Sequence, residues 1–143
     1  MQWVSRIVVL ALAGSVVSNS PLAEADYYVA QNGQTPGDFL SWSTAASNIQ
    51  EAVDAASAGD TVWVGAGTYT APPSPAIYTG TNVVYINNKP LMLRSSNGVP
   101  ESVIIDGGGA YRGIVFVQGA NTAVRMVLDG LTVSNCIAPT FGG

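Results

Sequence analysis

Two hydrophobic periods run along this chain, and the change from one to the other divides it. In "STAASNIQEAVDAASAG", Ala45, Ala46, Ile49, Ala52, Val53 and Ala56 recur at helical spacing, while Gln50, Glu51 and Asp54 take the opposite face. That pattern predicts an amphipathic helix over 44 to 58, capped by Ser43 or Thr44 and stopped at Gly59. Elsewhere the apolar residues come in short runs bounded by Gly, Asn, Asp, Pro or Ser, which is the pattern of short strands and close turns. "DYYVAQNG" predicts a first strand ending in the Asn32-Gly33 turn, followed by a loop to about Ser43. Further strands are predicted at 61–64, 83–86, 91–94, 103–105, 114–117, 124–128 and 131–133. "APPSPAIYTGT", 71 to 81, reads as an irregular loop, because proline cannot donate to a strand ladder.

The strands carry a weak repeat. Ile105-Asp106-Gly107 superposes on Leu128-Asp129-Gly130 at an offset of 23, as do Leu91 and Leu93 on Ile114 and Phe116; Val62 and Val64 match Val84 and Ile86 at 22. Tiny strands at such a period predict a solenoid, and the Leu and Asn spacing of a leucine-rich horseshoe is missing. The expected fold is therefore all-β: a right-handed parallel β-helix of about 22–23 residues per coil, closed in front by the amphipathic helix. With coils about 4.8 Å apart, Ile105 should lie beneath Leu128 and Leu93 beneath Phe116. Gly107, Gly108 and Gly109 would turn the corner of a coil. The closing "IAPTFGG" offers neither a helix nor a charged edge to end the stack. Residues 26–143 are accordingly expected to be the cap and first coils of a longer domain, self-associating through the last coil.

The first 25 residues carry a different signal. Arg6, the apolar stretch from Ile7 to Val17 and the small-x-small triplet Ala23-Glu24-Ala25 predict a secretory leader over 1–25, cut before Asp26. Ser18, Asn19, Ser20 and Pro21 break the run short of a membrane span, so no transmembrane anchor is expected in this segment once the leader is removed. The chain carries 5 basic and 9 acidic residues and no basic cluster, which excludes nucleic acid as a partner. Export therefore implies a secreted or cell-surface protein, and Cys136, having no second cysteine to pair with, is expected to be a small buried side chain.

"YYVAQNG", "IQEAVDAASAGDTVWVGAGTYT", "LMLRSSNGVPESVIIDGGG" and "VLDGLTVSN" together resemble the N-terminal portion of secreted bacterial right-handed parallel β-helix proteins of the pectin lyase-like superfamily. The resemblance runs from about Tyr27 to Asn135 and is most specific from the helix through Ala58-Gly59-Asp60-Thr61-Val62 to Gly67-Thr68-Tyr69. It implies a fold shared by pectate lyases, polygalacturonases, other polysaccharide-active enzymes and adhesins, so it fixes no single activity. No catalytic motif of those enzymes can be matched to a position of this chain.

The absence of histidine removes His-based triads and His-containing metal sites, and a single cysteine removes a thiolate zinc site. "DGGGAYRG" lacks the Lys-Ser/Thr ending of a phosphate loop and reads as a corner between strands. If 23 residues make one coil, Asp106 and Asp129 stack about 5 Å apart, a spacing suited to a shared calcium ion or to paired carboxylates in glycoside cleavage. The simpler reading gives each the turn-forming role of an Asp-Gly corner. Arg94, Arg112 and Arg125 suit surface solvation better than proton abstraction, since arginine stays protonated. Trp63 alternates with Val62 and Val64 and so points outward, where it either stacks on a sugar ring or lies under the loop at 71 to 81, with cover the favoured reading.

These residues favour an exported or cell-surface scaffold, adhesin-like or carbohydrate-contacting, with a polysaccharide or another surface component as its partner. No catalytic or cofactor-binding residue is assigned; calcium on Asp106 and Asp129 is the metal candidate and Trp63 the substrate-contact candidate. The alternative is a polysaccharide lyase or glycoside hydrolase whose catalytic residues lie beyond residue 143.

Overall fold

A computed structural model describes residues 24–70, 82–119 and 125–137. The leader (all but its last two residues) and the loop at 71 to 81 lie outside the described residues. Among the described residues nine short strands form, β1 (Asp26–Val29), β2 (Thr61–Val64), β3 (Gly67–Tyr69), β4 (Asn82–Asn87), β5 (Met92–Ser95), β6 (Val103–Asp106), β7 (Arg112–Val117), β8 (Val127–Asp129) and β9 (Thr132–Ser134), with one helix, α1 (Ile49–Ala55). The helix is shorter than its periodicity predicts. Asn48, rather than Ser43 or Thr44, is the N-cap, its Oδ1 accepting the Glu51 N–H at 3.0 Å, and the upstream residues Trp42–Thr44 form a separate 3-10 turn. Ala45 and Ala46 belong to neither element, and Ala46 bridges to Val29 of β1.

All strand pairing is parallel, in sheets ordered β1-β2-β5-β8, β3-β6-β9 and β4-β7. The register corrects the expected solenoid. Partners lie 28 residues apart from Ile104 to Thr132, 30 from Asn82 to Arg112, 31 from Thr61 to Met92, 35 from Met92 to Val127 and 36 from Gly67 to Val103. No pair is 22 or 23 apart, and the spacing is uneven. Leu128 pairs with Leu93, Ile105 with Tyr69 and Val133, and Phe116 with Ile86. Ile105-Asp106-Gly107 and Leu128-Asp129-Gly130 sit at the ends of strands in different sheets. Their likeness comes from a common way of ending a strand, with Asp then Gly, and not from stacking. In place of a β-helix of 22–23-residue coils with a long capping helix, the described residues build three separate short parallel sheets and one seven-residue helix.

The three sheets and the helix bury one apolar cluster. Val29, Val62, Val64 and Leu93 come from the first sheet, Tyr69, Val103 and Ile105 from the second, Val84 and Ile86 from the third, and Ile49, Ala52 and Val53 from α1. Each large aliphatic buried in this way contributes roughly 1.5 to 3 kcal/mol relative to exposure. Polar groups fasten the surrounding turns. Asp60 is buried, its Oδ1 accepting the Ala25 N–H at 2.9 Å and its Oδ2 the Ser57 N–H at 2.6 Å. Lys89 Nζ donates to the carbonyls of Val53 at 2.5 Å and Ala56 at 2.8 Å, closing the C-terminal end of α1. Burial lowers the Lys89 pKa, with Asp54 and Asp60 pulling it back up.

The glycine-rich corner after β6 has a local cause. Asp106 Oδ1 accepts the Gly108 N–H at 2.7 Å, and Gly108 adopts φ of 59°, where a side chain is disfavoured. At Gly107 a Cβ would lie 2.5 Å from the Tyr111 carbonyl oxygen, so the backbone there leaves no room for a side chain.

Backbone and side-chain groups also cover the leading edges of the sheets. β1 is paired through Tyr28 N–H to the Phe39 carbonyl (2.8 Å), Ala46 N–H to the Tyr28 carbonyl (2.8 Å) and Ala30 N–H to the Ala46 carbonyl (2.9 Å). Gln50 presents its amide to β4 as a strand would, Oε1 accepting the Tyr85 N–H at 2.7 Å and Nε2 donating to the Tyr85 carbonyl at 3.0 Å. Gln31 Nε2 donates to the Thr68 carbonyl of β3 at 2.6 Å.

Candidate functional site

The inward positions of β1, β2 and β5 are apolar except for buried Ser95, so strand alternation sends the residues between them to the outer face. Register then aligns one outward side chain per strand: Tyr28 with Trp63, Trp63 with Arg94, and Arg94 with Asp129. Neighbouring parallel strands lie about 4.8 Å apart, so these four residues form a continuous row across the first sheet. The row is extended beyond β1 by Trp42, whose ring meets Tyr28 edge-on, centroids 4.8 Å apart and planes at 62°. Trp42 is 48% exposed.

The members of the row hold one another. The Arg94 guanidinium carbon lies 5.3 Å from the centre of the Trp63 ring, a cation–π distance. Arg94 Nε and Nη2 both donate to Asp129 Oδ2, at 3.0 and 2.7 Å. Trp63 Nε1 donates to Asp26 Oδ1 at 2.9 Å, which fixes the indole from the other side. Trp42 is set by its turn, in which Ser41 Oγ lies 2.9 Å from both Ser43 Oγ and Thr44 Oγ1. Beside it Asp38 accepts the Leu40 N–H at 3.1 Å, and its hydrogen bonds to Thr44 and to that amide hold its carboxyl below the usual carboxylate range. The result is a strip of ring edges, one guanidinium and two carboxylates, with Tyr28, Trp63 and Arg94 half-buried and Trp42, Asp26 and Asp129 exposed.

The structure brings together residues that the sequence placed in separate arguments. Trp63, Arg94 and Asp129 are neighbours. Asp106 is not among them: it lies on the second sheet in register with Ser134, so the expected stack of Asp106 on Asp129 does not form. Among the described residues no group of three or more His, Cys, Asp or Glu side chains gathers as a metal site would need. Arg112 opens β7 opposite Asn82, and Arg125 is exposed and outside any strand. Cys136 is exposed rather than buried, its Sγ donating to the Ser134 carbonyl at 3.0 Å. Tyr28 and Trp42 were missed by the sequence reading. Alternation in "DYYV" would have found Tyr28, while Trp42 sits in a loop with no periodicity to orient it.

No family model, no curated protein and no solved structure matches the chain, so nothing in these comparisons identifies a pectin lyase-like protein. Among the described residues no helix is long and apolar enough to cross a membrane.

Proposed function

We propose that the protein is an exported or cell-surface scaffold that contacts carbohydrate through the outward row of its four-stranded sheet. The reading rests on one observation, the alignment of Tyr28, Trp63, Arg94 and Asp129 across adjacent strands, with Trp42 packed against Tyr28 at its end. Aromatic faces and edges suit the apolar C–H faces of sugar rings, and the guanidinium and carboxylate beside them suit ring hydroxyls. A flat strip favours an extended chain over a small enclosed molecule, which would need a concave pocket. Export rests on the leader pattern of Arg6, the apolar stretch from Ile7 to Val17 and the Ala23-Glu24-Ala25 triplet.

The test is a depletion assay on insoluble and soluble polysaccharides, comparing the parent with Trp42→Ala and Trp63→Ala. Binding by the parent that falls at least about tenfold in each variant, equivalent to 1.4 kcal/mol, supports the row as the contact surface. Retention of full binding by both variants would remove it.

A further inference from the structure

The row also suggests which carbohydrates it takes, an inference that rests on the carbohydrate-contacting role proposed above. Its one cation is already engaged, since both Nε and Nη2 of Arg94 point at Asp129 Oδ2. Its tryptophan is bound through Nε1 to a second carboxylate, Asp26. One guanidinium against the two carboxylates Asp26 and Asp129 leaves the strip formally negative, on a chain whose net charge is −4. A uronate or sulfated sugar would have to displace Asp129 from Arg94 and lie close to Asp26, whereas a neutral sugar need do neither. Arginine carries five N–H donors, so those not given to Asp129 stay available to hydroxyl groups, and Asp129 Oδ1 offers an acceptor alongside.

We infer that Asp129 is a specificity-determining residue: by holding Arg94 over Trp63 it commits the row to neutral saccharides and turns away anionic ones. Neutralising Asp129 releases the guanidinium and reverses the preference.

The experiment measures binding of cellohexaose and of a galacturonate hexamer to the purified chain by calorimetry and tryptophan fluorescence, at low and high salt, in the parent, Asp129→Asn and Asp129→Ser. Circular dichroism checks that each variant folds. The parent is expected to bind the neutral hexamer at least about tenfold more tightly than the anionic one, with little salt dependence. Both variants should gain about tenfold for the galacturonate hexamer, and that gain should fade at high salt. A parent that binds the anionic hexamer as well as the neutral one, or variants that gain nothing, overturns the role of Asp129 while leaving a carbohydrate surface in place. Failure of both hexamers and of the polysaccharide panel to bind the parent overturns the carbohydrate reading itself.

Discussion

Leu93 and Leu128 are register partners, the same residue type on neighbouring strands, yet Leu93 is 0% exposed and Leu128 50%. The contrast extends to the sheets they belong to. On the leading side, β1 is covered by Phe39 and Ala46, β3 by Gln31 and β4 by Gln50. On the trailing side, β8 and β9 end their sheets, with Val127, Leu128 and Val133 between 41% and 50% exposed. A strand edge carries unpaired N–H and C=O groups whatever its side chains are, so it needs a polar cover as well as an apolar one. Here the backbone of Phe39 and Ala46 and two glutamine side chains supply that cover, with Gln50 imitating a length of strand. The leading side therefore owes its order to hydrogen bonds that no hydrophobic period announces.

The most direct way to break this comparison is to truncate both leucines. Leu93→Ala should cost about 2 to 5 kcal/mol, because it opens a cavity at the centre of the sheet, and Leu128→Ala less than about 1 kcal/mol. Urea unfolding of the two variants checks it, and equal losses would mean that β8 is as well packed as β5.

An alkaline titration sharpens the picture on the covered side. Burial raises the Tyr69 hydroxyl from 10.0 to about 12, and that hydroxyl donates to the Gly65 carbonyl at 2.9 Å. The unfolded chain ionises first. The Tyr69 contribution is therefore complete below pH 10 and is lost as pH rises toward 12, amounting to no more than about 2 to 3 kcal/mol. Tyr69→Phe should flatten stability across that window, measured by unfolding at fixed steps of pH.

Smaller effects follow at the edges. Gln50→Ala removes the two hydrogen bonds that Gln50 makes to the Tyr85 backbone and should cost about 1 to 2 kcal/mol, with faster amide exchange at Tyr85 as its local sign. The Arg94–Asp129 pair is a surface ion pair, with side chains 39% and 51% exposed. Asp129→Asn should accordingly shift stability by less than about 1 kcal/mol, a difference that chemical unfolding resolves. A larger loss would show that the row supports the sheet as well as facing outward.

Strand positions were legible because their chemistry is local. "TVWV" forms β2 over its whole length, and "VVYI" and "IVFV" lie inside β4 and β7. Register was not legible, since it depends on the lengths of the connections, and those vary. The Asp-Gly endings of β6 and β8 look like one repeated position because both finish a strand in the same way. β3, "GTY", was too short and polar to stand out from the turn before it. The helix was over-read because Ala45 and Ala46 fit a helical stripe by spacing, although the Ala46 backbone pairs with β1 and the Ala45 carbonyl accepts the Gln34 N–H. Trp63 was legible as an outward residue from alternation alone. Its contacts with Arg94 and Asp26 were not, because they join residues 31 and 37 positions away.

The four-strand row has a consequence for how this chain tolerates changes in length. Because side chains alternate between faces, deleting one residue inside β5 would exchange the places of Arg94 and Leu93, putting a guanidinium among valines and an aliphatic beside the indole. Insertions in the turn at 65 and 66 carry no such penalty, as they leave the parity of every strand intact. Variants that lengthen or shorten this protein should therefore be built in its connections, with each strand kept at its present count.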